Sequence, residues 1–103
     1  MTKYFSNWKG SPSAYSIPAQ EWAKIVPKLY DAVKAGMDSG VVKDWGGFAG
    51  ADEGYMVWEG SEMQVVADIA KYRPYIEFEA ITPLISLAQA IESTKKQAAA
   101  ASR

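Results

Sequence analysis

The feature that most constrains the fold is a run near the middle of the chain, residues 41–60, with the sequence VVKDWGGFAGADEGYMVWEG. Its valines and aromatic residues suit β-strands, and the Gly-Ala-Asp-Glu-Gly segment at residues 50–54 suits a tight turn. The run therefore predicts two antiparallel strands, at residues 41–49 and 55–59, joined as a hairpin. Helix-like segments flank this hairpin on both sides, so strands and helices are expected to alternate along the chain.

Two segments around the hairpin carry apolar residues at helical spacing. In the first, residues 18–39, they recur every three or four positions, and Gly40 suits a C-terminal cap. Pro27 lies inside this segment, and because the apolar stripe continues past it we expect one kinked helix. The second helix is expected to begin at the Ser-Glu-Met-Gln capping box of residues 61–64 and to end before Pro74.

Strand-forming residues also occur towards both ends of the chain. Residues 3–8 predict a first strand, and residues 75–82 predict a fourth strand that carries Glu77 and Glu79 on one face. Pro83 is expected to end this strand, because proline cannot donate to a ladder. A second capping box at residues 86–89 then predicts a short helix, followed by an alanine-rich tail.

This order of elements predicts an α+β fold, a ferredoxin-like βαββαβ sandwich with an extra C-terminal helix. The 103 residues are expected to form a single domain, with residues 1–85 as its core and residues 86–103 as the C-terminal helix and tail. Both main helices would pack on one face of an antiparallel sheet. A less regular α+β meander is the alternative.

The other face of the predicted sheet is too apolar to meet only water. The second and third strands do not alternate apolar and polar residues, and Trp45 and Trp58 add large side chains to them. An exposed patch of that size is unusual for a monomer. We therefore expect a homodimer that forms through the open sheet face, since most soluble oligomers are symmetric assemblies of one chain.

The composition of the chain argues against several classes of function. The chain has no His and no Cys, which removes the commonest catalytic bases, thiol nucleophiles and soft-metal ligands. A net charge of −1 argues against a nucleic-acid partner. No apolar run is long enough to cross a bilayer, and the first residues do not resemble a signal peptide, so no membrane association is expected. We predict a cytoplasmic protein with no cofactor and no metal site.

Three stretches resemble one group of proteins: SGVVKDWGGF, GYMVWEG and KYRPYIEFEAITPLISLAQAIE. They are similar to small uncharacterised proteins of the dimeric α/β-barrel superfamily, and the resemblance covers most of residues 22–92. It implies a ferredoxin-like protomer and a dimer whose two sheets form a barrel. It implies no particular activity, because the wider superfamily includes cofactor-free monooxygenases, haem-degrading oxygenases, isomerases and amino-acid-sensing modules.

The candidate ligand pocket consists of the residues expected to face the interior of such a dimer. They are Asn7, Trp45, Tyr55, Trp58, Glu77 and Glu79. The two glutamates, about 7 Å apart on one strand face, would serve as a general acid or base if enclosed, or they form a solvated strand face that discourages aggregation. Asn7 and the tryptophans would assist oxygen chemistry, as the resemblance implies, or they are packing residues. No catalytic residue is assigned.

The sequence leaves three functions open. The first is a homodimeric protein that binds a small apolar or aromatic molecule in an aromatic-lined interior. The second is a cofactor-independent oxygenase or isomerase that acts on such a molecule. The third is a structural or interaction protein whose interior is filled. A pocket of several hundred cubic ångströms would favour a ligand over a filled interior.

Overall fold

A computed structural model describes residues 2–101 as a five-stranded antiparallel sheet with four helices. In chain order the elements are β1 (Lys3–Gly10), α1 (Pro12–Tyr15), α2 (Ala19–Ser39), β2 (Val42–Gly47), β3 (Glu53–Glu59), α3 (Glu62–Ala70), β4 (Ile76–Phe78), β5 (Thr82–Leu84) and α4 (Leu87–Ala101). No helix in residues 2–101 is long and apolar enough to cross a bilayer.

The sheet is built around β1. The strands follow the order β2-β3-β1-β4, and β5 also pairs with β1. Along its length β1 pairs with β3, whereas its other edge is shared between two short strands. The end of β1 near Gly10 pairs with β4, with Trp8 opposite Phe78. The end near Lys3 pairs with β5, with Lys3 opposite Leu84.

The predicted ferredoxin-like βαββαβ order was wrong. Over residues 2–101 the chain runs β-α-α-β-β-α-β-β-α. The four-residue helix α1 follows β1, and the segment expected to be one fourth strand is divided into β4 and β5. Pro83 does not end a strand but lies in β5, opposite Tyr4. An edge strand accepts proline because one side of its backbone has no neighbouring strand.

The tryptophans of the sheet lie on the face that the helices cover. Directly paired residues share a face, and Trp58 pairs with Tyr4 while Trp45 pairs with Met56. A bulge between Val42 and Asp44 shifts the register of β2, so Val42 and Trp45 share a face although they are three residues apart. The sequence left open which face Trp45 and Trp58 occupy. The structure places both on the covered face, so they do not contribute to the apolar open face from which a dimer was predicted.

The buried core lies between this covered face and the helices. Its members are Val33, Val42, Met56, Trp58, Val65 and Tyr72. Gly36 lets α2 approach β2 closely, because a Cβ at this position would collide with the side chain of Val42. The uncovered face instead carries half-buried Phe5, Asn7, Tyr55 and Val57.

The capping signals of the sequence are confirmed, and α4 continues to Ala101 through the alanine-rich segment that was expected to be a tail. Helix α2 is one continuous helix through Pro27, and it ends at Gly40, whose φ of +85° suits a residue without a Cβ. At the start of α3, the Ser61 N–H donates to Gln64 Oε1 at 2.8 Å and the Gln64 N–H donates to Ser61 Oγ at 3.2 Å. Helix α4 begins with the same reciprocal pair between Ser86 and Gln89.

Candidate functional site

A cavity of about 560 Å³ opens between α2 and the covered face of the sheet. Seven aromatic side chains line it: Trp8, Tyr15, Trp22, Tyr30, Trp45, Tyr72 and Phe78. Aliphatic residues from α2 and β3, among them Leu29 and Met56, complete its walls. The volume lies within the range of roughly 300–1,000 Å³ that is typical of small-molecule sites.

The periodicity of α2 supplies one wall of the cavity. Trp22, Val26, Leu29 and Val33 follow one another at intervals of four, three and four residues, and all four line the cavity. Residues at these intervals share one side of a helix. Trp22 also makes an edge contact with Tyr75, with ring centres 6.1 Å apart.

Alternation along the strands supplies the opposite wall. Trp8 pairs with Phe78 across β1 and β4, so both side chains lie on the covered face. The indoles of Trp8 and Trp45 stack with centres 5.6 Å apart and planes 13° apart. Tyr30 of α2 meets Trp45 edge-on at 5.8 Å. These contacts hold the aromatic wall in the offset and edge-to-face geometries that aromatic rings prefer.

Glycine makes room for these rings. A Cβ at Gly54 would overlap the indole of Trp8, whereas one at Gly47 would lie in ordinary van der Waals contact with the indole of Trp45. Since Gly54 lies directly opposite Trp8 in the β1–β3 ladder, the indole folds across the backbone of its neighbour. Gly54 therefore allows Trp8 to take its place in the cavity wall.

Few polar groups face the cavity. Asp52 is the only carboxylate among its described lining residues, and no lysine or arginine is among them. The Nε1–H of Trp8 is buried and has no acceptor among residues 2–101. An unpaired buried N–H is unfavourable by about 1–3 kcal/mol. The cavity suits a neutral, mainly apolar molecule better than an anion.

The buried carboxylate of Asp68 binds the hydroxyl of Tyr72, a residue of the cavity wall. Its Oδ2 accepts from Trp58 Nε1 at 2.9 Å and from the Tyr72 hydroxyl at 3.3 Å. The Lys71 ammonium lies 3.7 Å from Oδ1. Burial, followed by the charge of Asp68 and the hydrogen bond to it, raises the pKa of Tyr72 well above its ordinary value near 10. Tyr72 is thereby fixed as a neutral hydroxyl where it lines the cavity.

The residues predicted as a ligand pocket from the sequence do not come together. Trp45 alone lines the cavity, and Trp58 is fully buried in the core, with no exposed surface. Asn7 and Tyr55 are direct neighbours on the uncovered face. Glu77 and Glu79 line a different groove, of about 790 Å³, beside β4.

Tyr55 has a structural partner on the uncovered face. Its hydroxyl donates to Asp44 Oδ2 at 2.9 Å, and this hydrogen bond, with smaller contributions from burial and the charge of Asp44, raises the pKa of Tyr55. The ring stacks on Phe5 with centres 6.2 Å apart. It lies so close to Gly46 that any side chain there would collide with it.

Sequence reasoning missed six of the seven aromatic residues of the cavity wall, among them Trp8, Trp22 and Tyr30. The signal for Trp22 was present, since it begins the apolar stripe of α2. That for Trp8 required knowledge of which strand residues face the helices.

No protein-family model matches the chain, and no curated protein matches it significantly. The resemblance drawn from three sequence stretches therefore stays a prediction.

Proposed function

We propose that the protein binds a small apolar or aromatic molecule in the cavity between α2 and the sheet, and that it does so as a homodimer. The observation that supports binding is the cavity itself, about 560 Å³ of space with seven aromatic side chains on its walls. A purely structural core would fill such a volume, because protein interiors are packed as densely as organic crystals.

The proposed ligand is flat and uncharged. The parallel indoles of Trp8 and Trp45 offer planar surface, and the edge of Tyr30 bounds it. Stacking on such rings contributes about 0.5–1.5 kcal/mol per pair beyond the burial of apolar area. The lack of cationic groups among the described lining residues disfavours carboxylates and phosphates.

Binding is favoured over catalysis by the scarcity of groups that transfer protons. The chain has no histidine and no cysteine, and Asp52 is the only carboxylate among the described lining residues. A general acid–base reaction needs a group within hydrogen-bond reach of the reacting atom, with its pKa near the working pH. Oxygenase or isomerase activity and a cytoplasmic location both stay predictions from the sequence.

Calorimetric titration with 2-naphthol tests the proposal. Its saturated counterpart, decahydro-2-naphthol, has the same skeleton and hydroxyl group without the flat rings. We expect 2-naphthol to bind about two to ten times more tightly, because only the flat molecule stacks on the indoles. Failure of the wild-type chain to bind 2-naphthol at millimolar concentration would contradict the proposal.

A matched pair of variants locates the binding site. Ala51 and Ala49 are both exposed residues of the β2–β3 turn, but only Ala51 lines the cavity. Ala51→Phe places a ring at the cavity wall and is expected to weaken 2-naphthol binding at least about tenfold, the loss of one buried aromatic contact surface. Ala49→Phe is expected to bind like wild type. Equal affinities of the two variants would place the site elsewhere.

A further inference from the structure

No described residue of helix α4 belongs to the hydrophobic core of its own chain. None of its described residues is buried, and Leu87 and Ile91 are 77% and 47% exposed. The molecule measures 65 × 26 × 22 Å with a radius of gyration of 17.5 Å. A compact chain of this length has a radius near 13 Å. The excess length reflects a helix that extends away from the rest of the molecule.

The sequence of α4 nevertheless specifies a helix with one contact face. Its first turn is closed by two hydrogen bonds between Ser86 and Gln89, of 2.7 and 3.1 Å. Leu87, Ile91 and Lys95 are four residues apart and therefore lie along one side. An isolated helix of 15 residues is only marginally stable in water, so a helix with this apolar side requires a surface to pack on.

A groove with complementary features lies between α3 and β4. It encloses about 790 Å³, and its apolar walls include Val66, Ile69 and Ile81. Val66 is 57% exposed, so this wall faces solvent in the single chain. Glu77 and Glu79 lie along the same groove. Arg73 also lines it, so the groove combines an apolar surface with a net charge of −1, and α4 combines an apolar side with Lys95.

The direction of the chain disfavours docking of α4 in the α3–β4 groove of its own chain. Only two residues separate the end of β5 at Leu84 from the start of α4 at Leu87. The capping box fixes the helix start there, and the helix, about 22 Å long at 1.5 Å per residue, continues away from the body. β4 and β5 follow β1 in the same direction, from Gly10 towards Lys3, so the chain leaves β5 at the end of β1 that lies away from β4. To reach the groove of the same chain, α4 would have to turn back.

We propose that α4 docks in the α3–β4 groove of a second copy of this chain, and that the second copy returns its α4 in the same way. Leu87 and Ile91 pack against Val66 and Ile81 of the other copy, and Lys95 pairs with the carboxylate of Glu79. The exchange is reciprocal, as a twofold dimer requires. It covers the apolar surfaces of both helices and both grooves, and it does not depend on the cavity or its ligand.

Engineered cysteines test which chain supplies the helix, and the natural chain has no cysteine to interfere. Equal amounts of Ile91→Cys and Val66→Cys chains are mixed and oxidised. We expect a disulfide-linked species of twice 11.3 kDa. The double variant is then oxidised alone at micromolar concentration. A linked dimer supports exchange, whereas an internally linked monomer shows that α4 folds onto its own chain and overturns the proposal.

A second experiment measures the dimer without crosslinking. Ile91→Glu places a charge on the contact side of α4, and Ser93→Glu places the same charge about 200° around the helix. Sedimentation equilibrium is expected to give a dissociation constant raised about tenfold to a hundredfold for Ile91→Glu, since an apolar side chain is lost from the interface. Ser93→Glu is expected to dimerise like wild type. A monomeric wild-type chain, or equal effects of both variants, overturns the proposal.

Discussion

At the scale of single residues, the carboxylate of Asp68 connects α3 to the sheet. It is 3% exposed and accepts hydrogen bonds from Trp58 of β3 and from Tyr72, which follows α3. Both donors belong to the buried core. Buried donors without acceptors are strongly unfavourable. The Asp68 carboxylate therefore stabilises the buried positions of both Trp58 and Tyr72.

Asp68→Ala is expected to lower the free energy of unfolding by about 2–4 kcal/mol, since it leaves the indole N–H of Trp58 and the hydroxyl of Tyr72 without an acceptor. Asp38→Ala is the control, because Asp38 is an exposed carboxylate of α2. It is expected to change stability by less than about 0.5 kcal/mol. Urea denaturation measures both values, and a loss at Asp68 no larger than at Asp38 would contradict the role of the buried network.

Tyr72 makes stability depend on pH in the alkaline range. Its folded pKa is raised above the value near 10 that tyrosine has in the unfolded chain. The neutral hydroxyl is therefore favoured by folding, so its contribution is complete below pH 10 and is lost as the pH rises above that value. We expect the free energy of unfolding to fall between pH 10 and 11 more steeply in wild type than in Tyr72→Phe. Parallel pH profiles would show that the tyrosine does not carry this dependence.

At the scale of elements, helix signals could be predicted from the sequence and strand pairing only in part. The stripe of α2 and both capping boxes depend on neighbouring residues, so they are visible in a single sequence. The division into β4 and β5 depends on which parts of β1 each segment pairs with. Such pairing joins segments that are distant in the sequence, so the residues around Pro83 do not predict it.

The residues of the candidate site could also be predicted only in part, because strand pairing decides which side chains share a face. Trp45 was predicted as a pocket residue, but its face depends on the bulge between Val42 and Asp44. A shift of one residue moves a strand side chain to the other face of the sheet. The sequence alone therefore could not place Trp45 beside Trp8, nor show that Asn7, Glu77 and Glu79 lie outside the cavity.

The capping box of α3 provides a test at this scale. Ser61→Ala removes the acceptor for the Gln64 N–H, and it is expected to destabilise the protein by about 1 kcal/mol. Ser93→Ala, an exposed change within α4, is expected to remain within about 0.5 kcal/mol of wild type. Thermal unfolding followed by circular dichroism compares the two. Equal unfolding temperatures would show that the cap contributes nothing measurable.

At the scale of the whole molecule, the elongated shape and the charges of α4 point to one assembly. The groove beside β4 carries two glutamates and Arg73, and α4 carries two lysines and Glu92, so their net charges have opposite signs. Exchange of α4 between two chains would bring them together and give a compact particle. The glutamates that were predicted to serve as ligand-pocket residues would then form part of the subunit interface.

A charge-swap series tests that pairing. Lys95→Glu and Glu79→Lys are each expected to weaken dimerisation about two- to fivefold, as removal of one partly exposed ion pair does. The double variant restores opposite charges and is expected to recover most of the loss. Sedimentation equilibrium at low ionic strength measures the four chains. Additive weakening in the double variant would show that these two residues do not meet.

The central claim is that the cavity between α2 and the sheet binds a flat aromatic molecule. The indole N–H signals of the four tryptophans in a nitrogen–proton correlation spectrum test it most directly, with each signal assigned by its Trp→Phe variant. During titration with 2-naphthol, we expect the signals of Trp8, Trp22 and Trp45 to shift with a common dissociation constant. The signal of Trp58, which lies outside the cavity, is expected to stay in place. No shift at any of the three cavity tryptophans, or a shift confined to Trp58, would contradict the account.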